Sequence, residues 1–186
     1  MNEEQRKMTP LATCEVADGI FAVNNDFVNF YLIKSNNGYV SVDAGANVGQ
    51  SQQEIANLEI SPAEVVATLL THDHGDHTAC LGIFDKVYGM NGKLATHVVK
   101  DGDVLNVDGL TVKVLATPGH KEDSVCFLIN GKYLFVGDNM SLQGGKPALF
   151  NSVYNVSDEM QLRDIERLSK VYCTHIFTSH YGFVKK

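Results

Sequence analysis

The sequence predicts an α/β fold, and three observations support this prediction. The apolar run at residues 65–70 shows no alternation, which is typical of a strand buried on both faces in a sheet that helices cover. Short β-rich runs separated by turn residues fill the first quarter of the chain. Apolar residues at near-helical spacing follow Ser157 and indicate an amphipathic helix in the last quarter.

The β-rich runs of the first quarter are predicted to form an antiparallel meander. Asp18-Gly19 and Asn36-Asn37-Gly38 supply residues that favour tight hairpin turns. The strands predicted between these turns are residues 13–16, 20–23, 29–34 and 39–42. Helices are predicted for residues 49–58 and 78–84, on either side of the apolar run.

The second half of the chain shows further strand and turn patterns. Asn130-Gly131 is a strong hairpin signal between two β-rich runs. The predicted strands here are residues 94–96, 110–116, 124–129, 132–136 and 175–178. Ser157 can cap the amphipathic helix, whose apolar positions Met160, Ile165 and Leu168 extend the prediction through Cys173.

Length and composition favour one ordinary globular domain. A chain of 186 residues with 44% hydrophobic and 20% charged residues can bury a sizeable core. Residues 1–9 are predicted to be a flexible tail and residues 10–186 a single domain. The net charge of −7 and the lack of basic clusters argue against nucleic acid as a partner and favour a small-molecule substrate.

The sequence also predicts a cytoplasmic protein. Its apolar runs are shorter than the ~18 residues that a membrane span requires, and the polar first residues do not resemble a secretory signal. The four cysteines are widely and irregularly spaced, without a Cys-x-x-Cys pair. We expect them to be reduced. Oligomeric state is left open by the sequence.

The stretch Thr71–His77, directly after the apolar run, carries the strongest chemical signal. It places His72, His74, Asp76 and His77 within six residues, with Gly75 allowing a sharp turn between the two pairs. Imidazole nitrogens and carboxylate oxygens are ligands that suit zinc and related divalent cations. A solvated polar loop is the alternative interpretation, and the density of ligand-type side chains argues against it.

Similar side chains follow three later strands. His120 ends the turn Thr117-Pro118-Gly119-His120 after the strand at residues 110–116. Asp138 follows the second arm of the Asn130-Gly131 hairpin, and His180 follows the last strand. We expect these groups to lie at the same edge of the fold as the first cluster.

These motifs resemble the signature of the metallo-β-lactamase-fold metallohydrolases. The compact size of the chain, together with the motifs, is similar to the short glyoxalase-II-like branch of that family. The segments at residues 29–33 and 42–45 fit the same resemblance, which covers nearly the whole chain. The resemblance implies an αββα four-layer sandwich, with two mixed sheets flanked by helices. It also implies a dinuclear metal centre.

Carried over by position, the resemblance implies two sets of ligands. His72, His74 and His120 would hold one metal, Asp76, His77 and His180 would hold the other, and Asp138 would bridge the two. Asp43 would support the ligands from behind, although an Asp at a strand end is also a common turn or cap residue. Two divalent ions are expected, most simply zinc, with iron or manganese as alternatives.

The activity implied is hydrolysis of a small acyl substrate, a thioester, lactone or similar ester. A hydroxide shared by the two metals would attack the substrate, and Asp76 would orient it or carry a proton. Two alternatives remain: an iron-dependent redox enzyme of the same fold, of the sulfur dioxygenase or diiron type, and a non-catalytic metal-binding sensor module.

Several residues are candidate substrate contacts. The loop at residues 140–155, directly after Asp138 and Asn139, is predicted to form a pocket lip or lid, in which Phe150 and Tyr154 supply apolar contacts or pack in the core. Lys121 stands where Thr is usual after the second-motif histidine. It can contact an anionic substrate. A glutathione thioester is disfavoured by this substitution and by the end of the chain six residues after His180.

Overall fold

The predicted meander forms half of a larger mixed sheet. The computed structural model describes residues 3–84 and 86–186. Its first sheet has seven strands in chain order: β1 (Cys14–Ala17), β2 (Ile20–Asn25), β3 (Val28–Lys34), β4 (Tyr39–Val42), β5 (Val65–Leu69), β6 (Val87–Gly89) and β7 (His97–Val98). Strands β1 to β4 pair antiparallel, as predicted, and β4 to β7 pair parallel.

The second sheet has six strands, in the spatial order β15-β14-β11-β10-β9-β8. These strands are β8 (Val104–Val107), β9 (Leu110–Ala116), β10 (Val125–Ile129), β11 (Tyr133–Phe135), β14 (His175–Phe177) and β15 (Phe183–Lys185). Only the β11–β14 pair within this sheet is parallel. The remaining strands, β12 (Ser141–Gln143) and β13 (Lys146–Ala148), form a separate hairpin.

Helices cover the outer face of each sheet. Helix α1 (Val48–Asn57) packs Ile55 against Phe30 and Leu32 of β3. Helix α3 (Asp158–Ser169) packs Leu168 against Leu134 and Ile176 of the second sheet. A third cluster fills the space between the sheets. The layers are therefore helix, sheet, sheet and helix, and the predicted αββα sandwich is confirmed.

Strand β3 shows how the sequence produces these layers. Successive side chains of a strand point to opposite faces. Phe30 and Leu32 accordingly face α1, whereas Tyr31 and Ile33 face the core between the sheets. The Tyr31 hydroxyl donates a hydrogen bond to the Thr178 carbonyl oxygen at 2.7 Å, which ties the first sheet to the end of β14.

Strand direction brings the candidate ligands to one edge. In the first sheet β4 and β5 are parallel, so their carboxyl ends lie side by side. In the second sheet β9 runs antiparallel to β10, and β10 antiparallel to β11, so β9, β11 and β14 all point the same way. The backbone N–H of Val125 donates to the Thr71 carbonyl oxygen at 2.8 Å and joins the two edges.

The helix predicted for residues 78–84 is wrong in extent. Helix α2 spans Gly75–Thr78, and a 3₁₀ turn spans Leu81–Ile83. The reason is tertiary: the backbone N–H of Cys80 donates to the Ala44 carbonyl oxygen at 3.2 Å, outside the helix. This hydrogen bond holds the segment after Thr71–His77 against the end of β4.

Other boundaries also differ from the predictions. The strand expected at residues 94–96 is β7, which begins at His97, and α3 ends at Ser169 although its pattern extended to Cys173. Residues 140–155 contain the β12–β13 hairpin, whose turn is Gly144-Gly145 with positive φ at both positions, and a 3₁₀ turn over Ser152–Tyr154. Strand β15 was not predicted.

Two features relate to the predicted cytoplasmic location: the state of the cysteines and the length of the helices. Cys80, Cys126 and Cys173 are buried, Cys14 is exposed, and all four are free. In the described parts of the chain, every helix is too short or too polar to cross a membrane.

Candidate metal centre

The first group of ligand-type side chains consists of His72, His74, His120 and Asp138. His74 Nδ1 lies 3.1 Å from His72 Nε2 and 3.1 Å from His120 Nε2. Asp138 Oδ2 lies 3.8 Å from His72 Nε2 and 3.6 Å from His120 Nε2. All four ligand atoms are within 4.8 Å of one another, so they surround one point.

The second group consists of Asp76, His77 and His180. Asp76 Oδ2 lies 3.8 Å from His77 Nε2 and 3.4 Å from His180 Nε2. Asp138 Oδ1 lies 3.4 Å from His77 Nε2 and 3.2 Å from His180 Nε2. Asp138 thus stands between the two groups, with one carboxylate oxygen directed at each.

The outer nitrogens of two histidines fix the direction of their inner nitrogens. His120 Nδ1 lies 2.9 Å from Asn155 Oδ1, and His180 Nδ1 lies 2.7 Å from the Phe27 carbonyl oxygen. Both partners only accept hydrogen bonds, so each Nδ1 carries a proton and donates it. In the neutral rings, each Nε2 therefore presents a lone pair to the centre.

Asp43 orients the other two buried histidines. Its Oδ2 accepts from His77 Nδ1 at 2.7 Å and from the Thr71 hydroxyl at 2.9 Å, and its Oδ1 accepts from the Thr71 backbone N–H at 2.8 Å. Because the Thr71 hydroxyl donates to Asp43, it accepts from His72 Nδ1 at 3.0 Å. Asp43 thus contacts His77 of the second group directly and is linked to His72 of the first group through the Thr71 hydroxyl.

The donor set fits divalent metal ions. A tetrahedral zinc site with Zn–N distances of 2.0–2.1 Å places its nitrogens roughly 3.3 Å apart. The two 3.1 Å separations about His74 are close to that value, and a single proton on His74 Nδ1 can satisfy only one of them. His77 Nε2 and Asp138 Oδ1 are buried without a hydrogen-bond partner. Buried polar atoms are normally paired, so these two point to a cation.

Burial sets the protonation of the first group. It lowers the pKa of His72 well below its ordinary value, and it lowers the pKa of His74 and of His120 as well. These three rings are therefore neutral near pH 7, and their nitrogens are available as metal ligands.

The second group is more strongly coupled to carboxylates. Burial opposes protonation of His180, but the adjacent Asp138 outweighs it and raises the pKa of His180 to about 9. Asp138 and Asp43 likewise hold the pKa of His77 well above its ordinary value against the effect of burial. Burial also opposes ionisation of Asp138, yet His180 and His77 keep its pKa well below its usual range.

A cavity of about 390 Å³ opens beside both groups. This volume suits a small-molecule ligand. One wall carries the ligand-type residues His74, Asp76, Asp138 and His180, with Gly75. The other wall is formed by Gln5, Met8, Phe27, Ala46, Phe150 and Tyr154.

The candidate substrate contacts divide into two pairs. Phe150 and Tyr154 line the cavity, and the Phe150 ring lies 5.2 Å from that of His120 and 5.7 Å from that of His180. Lys121 and Asn139 are absent from the described lining. The Lys121 ammonium lies 2.9 Å from Asp73 Oδ1, and the Asn139 side chain is buried.

Several cavity and supporting residues were missed from the sequence. Gln5 and Met8 lie in the segment predicted to be a flexible tail, which forms a 3₁₀ turn over Gln5–Lys7. Asn155 had been assigned only to the loop after Asp138. The alternating apolar pattern that predicts strands gives no indication of such contacts, since they depend on loops meeting in space.

Comparison with known proteins shows which family and fold this chain is similar to. Residues 23–97 match the family described as the metallo-beta-lactamase superfamily. A hydroxyacylglutathione hydrolase of Hydrogenovibrio crunogenus is 33% identical over 148 residues, which cover 74% of this chain and 55% of that protein. The lactamase-like protein adaB of Aspergillus niger is 28% identical over 166 residues, which cover 82% of this chain and 49% of that protein. The chain spans about half the length of these two relatives.

Solved structures share the fold. BJP-1, a subclass B3 metallo-beta-lactamase of Bradyrhizobium japonicum, superposes with a TM-score of 0.72 at 19% identity, covering 96% of this chain and 80% of that one. The fold, the matched segment and the arrangement of histidines and aspartates define a metallo-β-lactamase-fold protein. The match to the superfamily lies in residues 23–97, and the fold of its solved members extends over most of the chain.

Proposed function

We propose that the chain is a metal-dependent hydrolase that cleaves a small acyl substrate, a thioester, lactone or similar ester, at a dinuclear centre. The position of Asp138 is the observation that carries this proposal. One of its oxygens faces the group containing His72 and the other faces the group containing His180. A shared carboxylate of this kind suits two cations held side by side.

In this proposal His72, His74 and His120 hold one ion, Asp76, His77 and His180 hold the other, and Asp138 contacts both. Divalent ions bound there would supply Lewis acidity, which lowers the pKa of water and polarises an acyl carbonyl. Zinc is the ion we propose, since neutral imidazoles and carboxylates suit it. The hydroxyacylglutathione hydrolase among the relatives supports acyl hydrolysis.

We assign the role of accepting a proton to Asp76. It lines the cavity with a side chain that is 20% exposed, whereas Asp138 is only 4% exposed. Burial opposes ionisation of Asp76, but His77 beside it keeps the pKa below its ordinary value. Its carboxylate is therefore ionised at neutral pH. It can orient the attacking water and accept a proton from it.

The cavity walls support this chemistry by excluding water. Phe150 is 2% exposed and lies against both His120 and His180, so the ligand groups are shielded from solvent on that side. Electrostatic interactions are stronger where water is excluded. The four free cysteines agree with the proposed cytoplasmic location, and the net charge of −7 agrees with a small molecule as partner in place of nucleic acid.

The test combines metal analysis with a substrate panel. Purified protein should contain two zinc ions per chain after loading and should hydrolyse chromogenic esters, thioesters or lactones. His74→Ala and Asp138→Ala should each lower kcat/KM at least about 100-fold, since even ~1 Å misplacement of a catalytic group costs this much. Circular dichroism should show that both variants keep the fold.

His97→Ala is the matched control. His97 is exposed, and its ring stacks on that of Tyr88, away from both groups. This variant should keep full activity. Near-normal turnover by His74→Ala or Asp138→Ala would contradict the ligand assignment. Bound iron with oxygen uptake would support the redox alternative, and full metal loading without turnover of any panel member would support a sensor module.

A further inference from the structure

The N-terminal segment, residues 3–9, contributes Gln5 and Met8 to the lining of the cavity. We propose that Met8, together with Phe27 and Phe150, forms an uncharged apolar wall that selects acyl substrates whose far end is neutral. This inference rests on the proposed hydrolase function and names the substrate class of the same site. It replaces the anionic substrate that Lys121 suggested in the sequence.

Hydrogen bonds made by the segment, and by a residue just after it, attach it to three other parts of the chain. The Thr9 backbone N–H donates to the His180 carbonyl oxygen at 2.8 Å. The Glu4 carboxylate accepts from Asn151 Nδ2 at 2.8 Å, in the stretch after β13. Just beyond the segment, the Leu11 N–H donates to Asn29 Oδ1 on β3 at 2.7 Å. Met8 is thereby held at the cavity wall, between two anchored neighbours.

The cavity offers no cationic side chain to the far end of a substrate. Among the described residues that line it, none is lysine or arginine. The two nearby ammonium groups are already paired. Lys7 lies 2.8 Å from Glu4 Oε1, and Lys121 lies 2.9 Å from Asp73 Oδ1. A carboxylate at the end of an acyl chain would therefore lose its hydration without gaining an ionic partner, which is unfavourable.

The apolar side chains instead favour a hydrocarbon chain. Met8 and Phe27 are partly buried, Phe150 is buried, and all three border the same cavity. A methionine side chain is flexible and adapts to irregular apolar partners. Each methylene that the wall covers contributes up to about fourfold in affinity, from the usual transfer free energy of a CH₂ group.

Two six-carbon esters make the test. Zinc-loaded protein is assayed with p-nitrophenyl hexanoate and with the mono-p-nitrophenyl ester of adipic acid. The acyl chain ends in a methyl group in the first ester and in a carboxylate in the second. Water breaks the acyl C–O bond in both and yields the carboxylic acid and p-nitrophenol. We expect kcat/KM to be at least about tenfold higher for the hexanoate, since desolvating an unpaired carboxylate costs this much or more.

Charge at Met8 should change this preference. Met8→Lys places an ammonium at the wall, and it should bring the ratio of the two kcat/KM values to about one or below. Met8→Leu should keep the wild-type ratio. Glu3→Gln is the control for net charge, because it also adds one positive unit but at an exposed residue outside the cavity lining. It should leave the ratio unchanged.

The outcomes separate this inference from the proposed function. Equal or better use of the adipate ester by the wild type would overturn the apolar wall, as would equal effects of Met8→Lys and Glu3→Gln. Ligand-observed NMR with hexanamide and adipamic acid gives a readout that needs no turnover. If hexanamide binds preferentially while neither ester is cleaved, the hydrolase proposal fails and the selectivity stands. Equal binding of both amides overturns the selectivity.

Discussion

Asp43 shows how much one residue can contribute without facing the cavity. Its φ of 64° lies in the left-handed region, which Asp and Asn tolerate better than most residues. In this conformation its carboxylate accepts hydrogen bonds from Thr71 and His77. It thus holds a proton on the outer nitrogen of His77 and leaves the inner nitrogen for a metal.

Asp43→Asn should weaken zinc binding, mainly at the group containing His77. The amide keeps the size and the left-handed conformation, but only its oxygen accepts hydrogen bonds, so its NH2 group must face either the Thr71 N–H or the His77 Nδ1–H, both of which donate to Asp43. We expect a 10–100-fold loss of affinity for one of two zinc ions, as for other partners of metal-bound histidines. Zinc titration against a competing chelator measures this loss.

Asp26→Asn is the matched control for this change. Asp26 has a φ of 66° and an exposed side chain in the turn between β2 and β3. It should bind zinc like the wild type. If Asp43→Asn bound both zinc ions with wild-type affinity, Asp43 would be a turn residue without influence on the site. That is the other interpretation of its place at a strand end.

At the scale of elements, the start of α3 supports the loops that carry the ligands. The Ser157 N–H donates to the Gly119 carbonyl oxygen at 3.0 Å, next to His120. Gln161 is buried, and its Nε2 donates to the Asp138 carbonyl oxygen at 3.1 Å while its Oε1 accepts from the Phe150 N–H at 2.8 Å. One helix therefore positions two proposed ligands and a cavity wall.

Gly119→Ala should destabilise the protein and disturb His120. A Cβ at Gly119 would lie 2.2 Å from the backbone nitrogen of Gln161 and 2.4 Å from its Cα, so the loop and α3 would have to separate. Overpacking of this kind costs about 1–3 kcal/mol. Urea unfolding should show this loss with an unchanged slope, and zinc binding should weaken in parallel.

Gly82→Ala provides the comparison, because a Cβ there meets no atom within 4 Å and the residue has no positive φ. Its free energy of unfolding should stay within about 0.5 kcal/mol of the wild type, as for most surface substitutions. Unchanged stability and zinc affinity in Gly119→Ala would mean that α3 does not constrain the loop.

The elements also show what could be predicted from the sequence. Strands such as β9, and the hairpin around Asn130-Gly131, follow from local pattern and turn chemistry, and they are found as expected. Gln161 was missed because a buried polar residue is indistinguishable in the pattern from an exposed one. The extent of α2 was missed because the N–H of Cys80 bonds to Ala44, which is remote in sequence.

At the scale of the whole molecule, two sheets bring their strand ends together at the site. The proposed ligands follow β5, β9, β11 and β14, whose side chains are largely buried. The same convergence concentrates charge: two carboxylates and two histidines of raised pKa stand within a few ångströms, as the 3.2 Å approach of His180 to Asp138 illustrates. Metal binding and protonation therefore compete at this edge.

This competition predicts how stability depends on pH in protein stripped of metal. The His180 pKa of about 9 lies above the ~6.5 of an unfolded chain, so protonation stabilises the fold fully below pH ~6.5 and this stabilisation is lost as the pH rises to 9. The complete loss is on the order of 3 kcal/mol for this shift. Urea unfolding at pH 6.5, 8 and 9 after chelation should show a falling free energy of unfolding.

His180→Gln should make this dependence shallower and leave the part that the raised pKa of His77 contributes. Zinc loading should remove the dependence, because a coordinated histidine has given up its proton. Zinc affinity itself should rise over the same pH range, since fewer protons remain to be displaced. The decisive measurement is the free energy of unfolding of the metal-free wild type as a function of pH. A free energy of unfolding that stays constant from pH 6.5 to 9, or a slope as steep in His180→Gln as in the wild type, would show that His180 is not held protonated by Asp138.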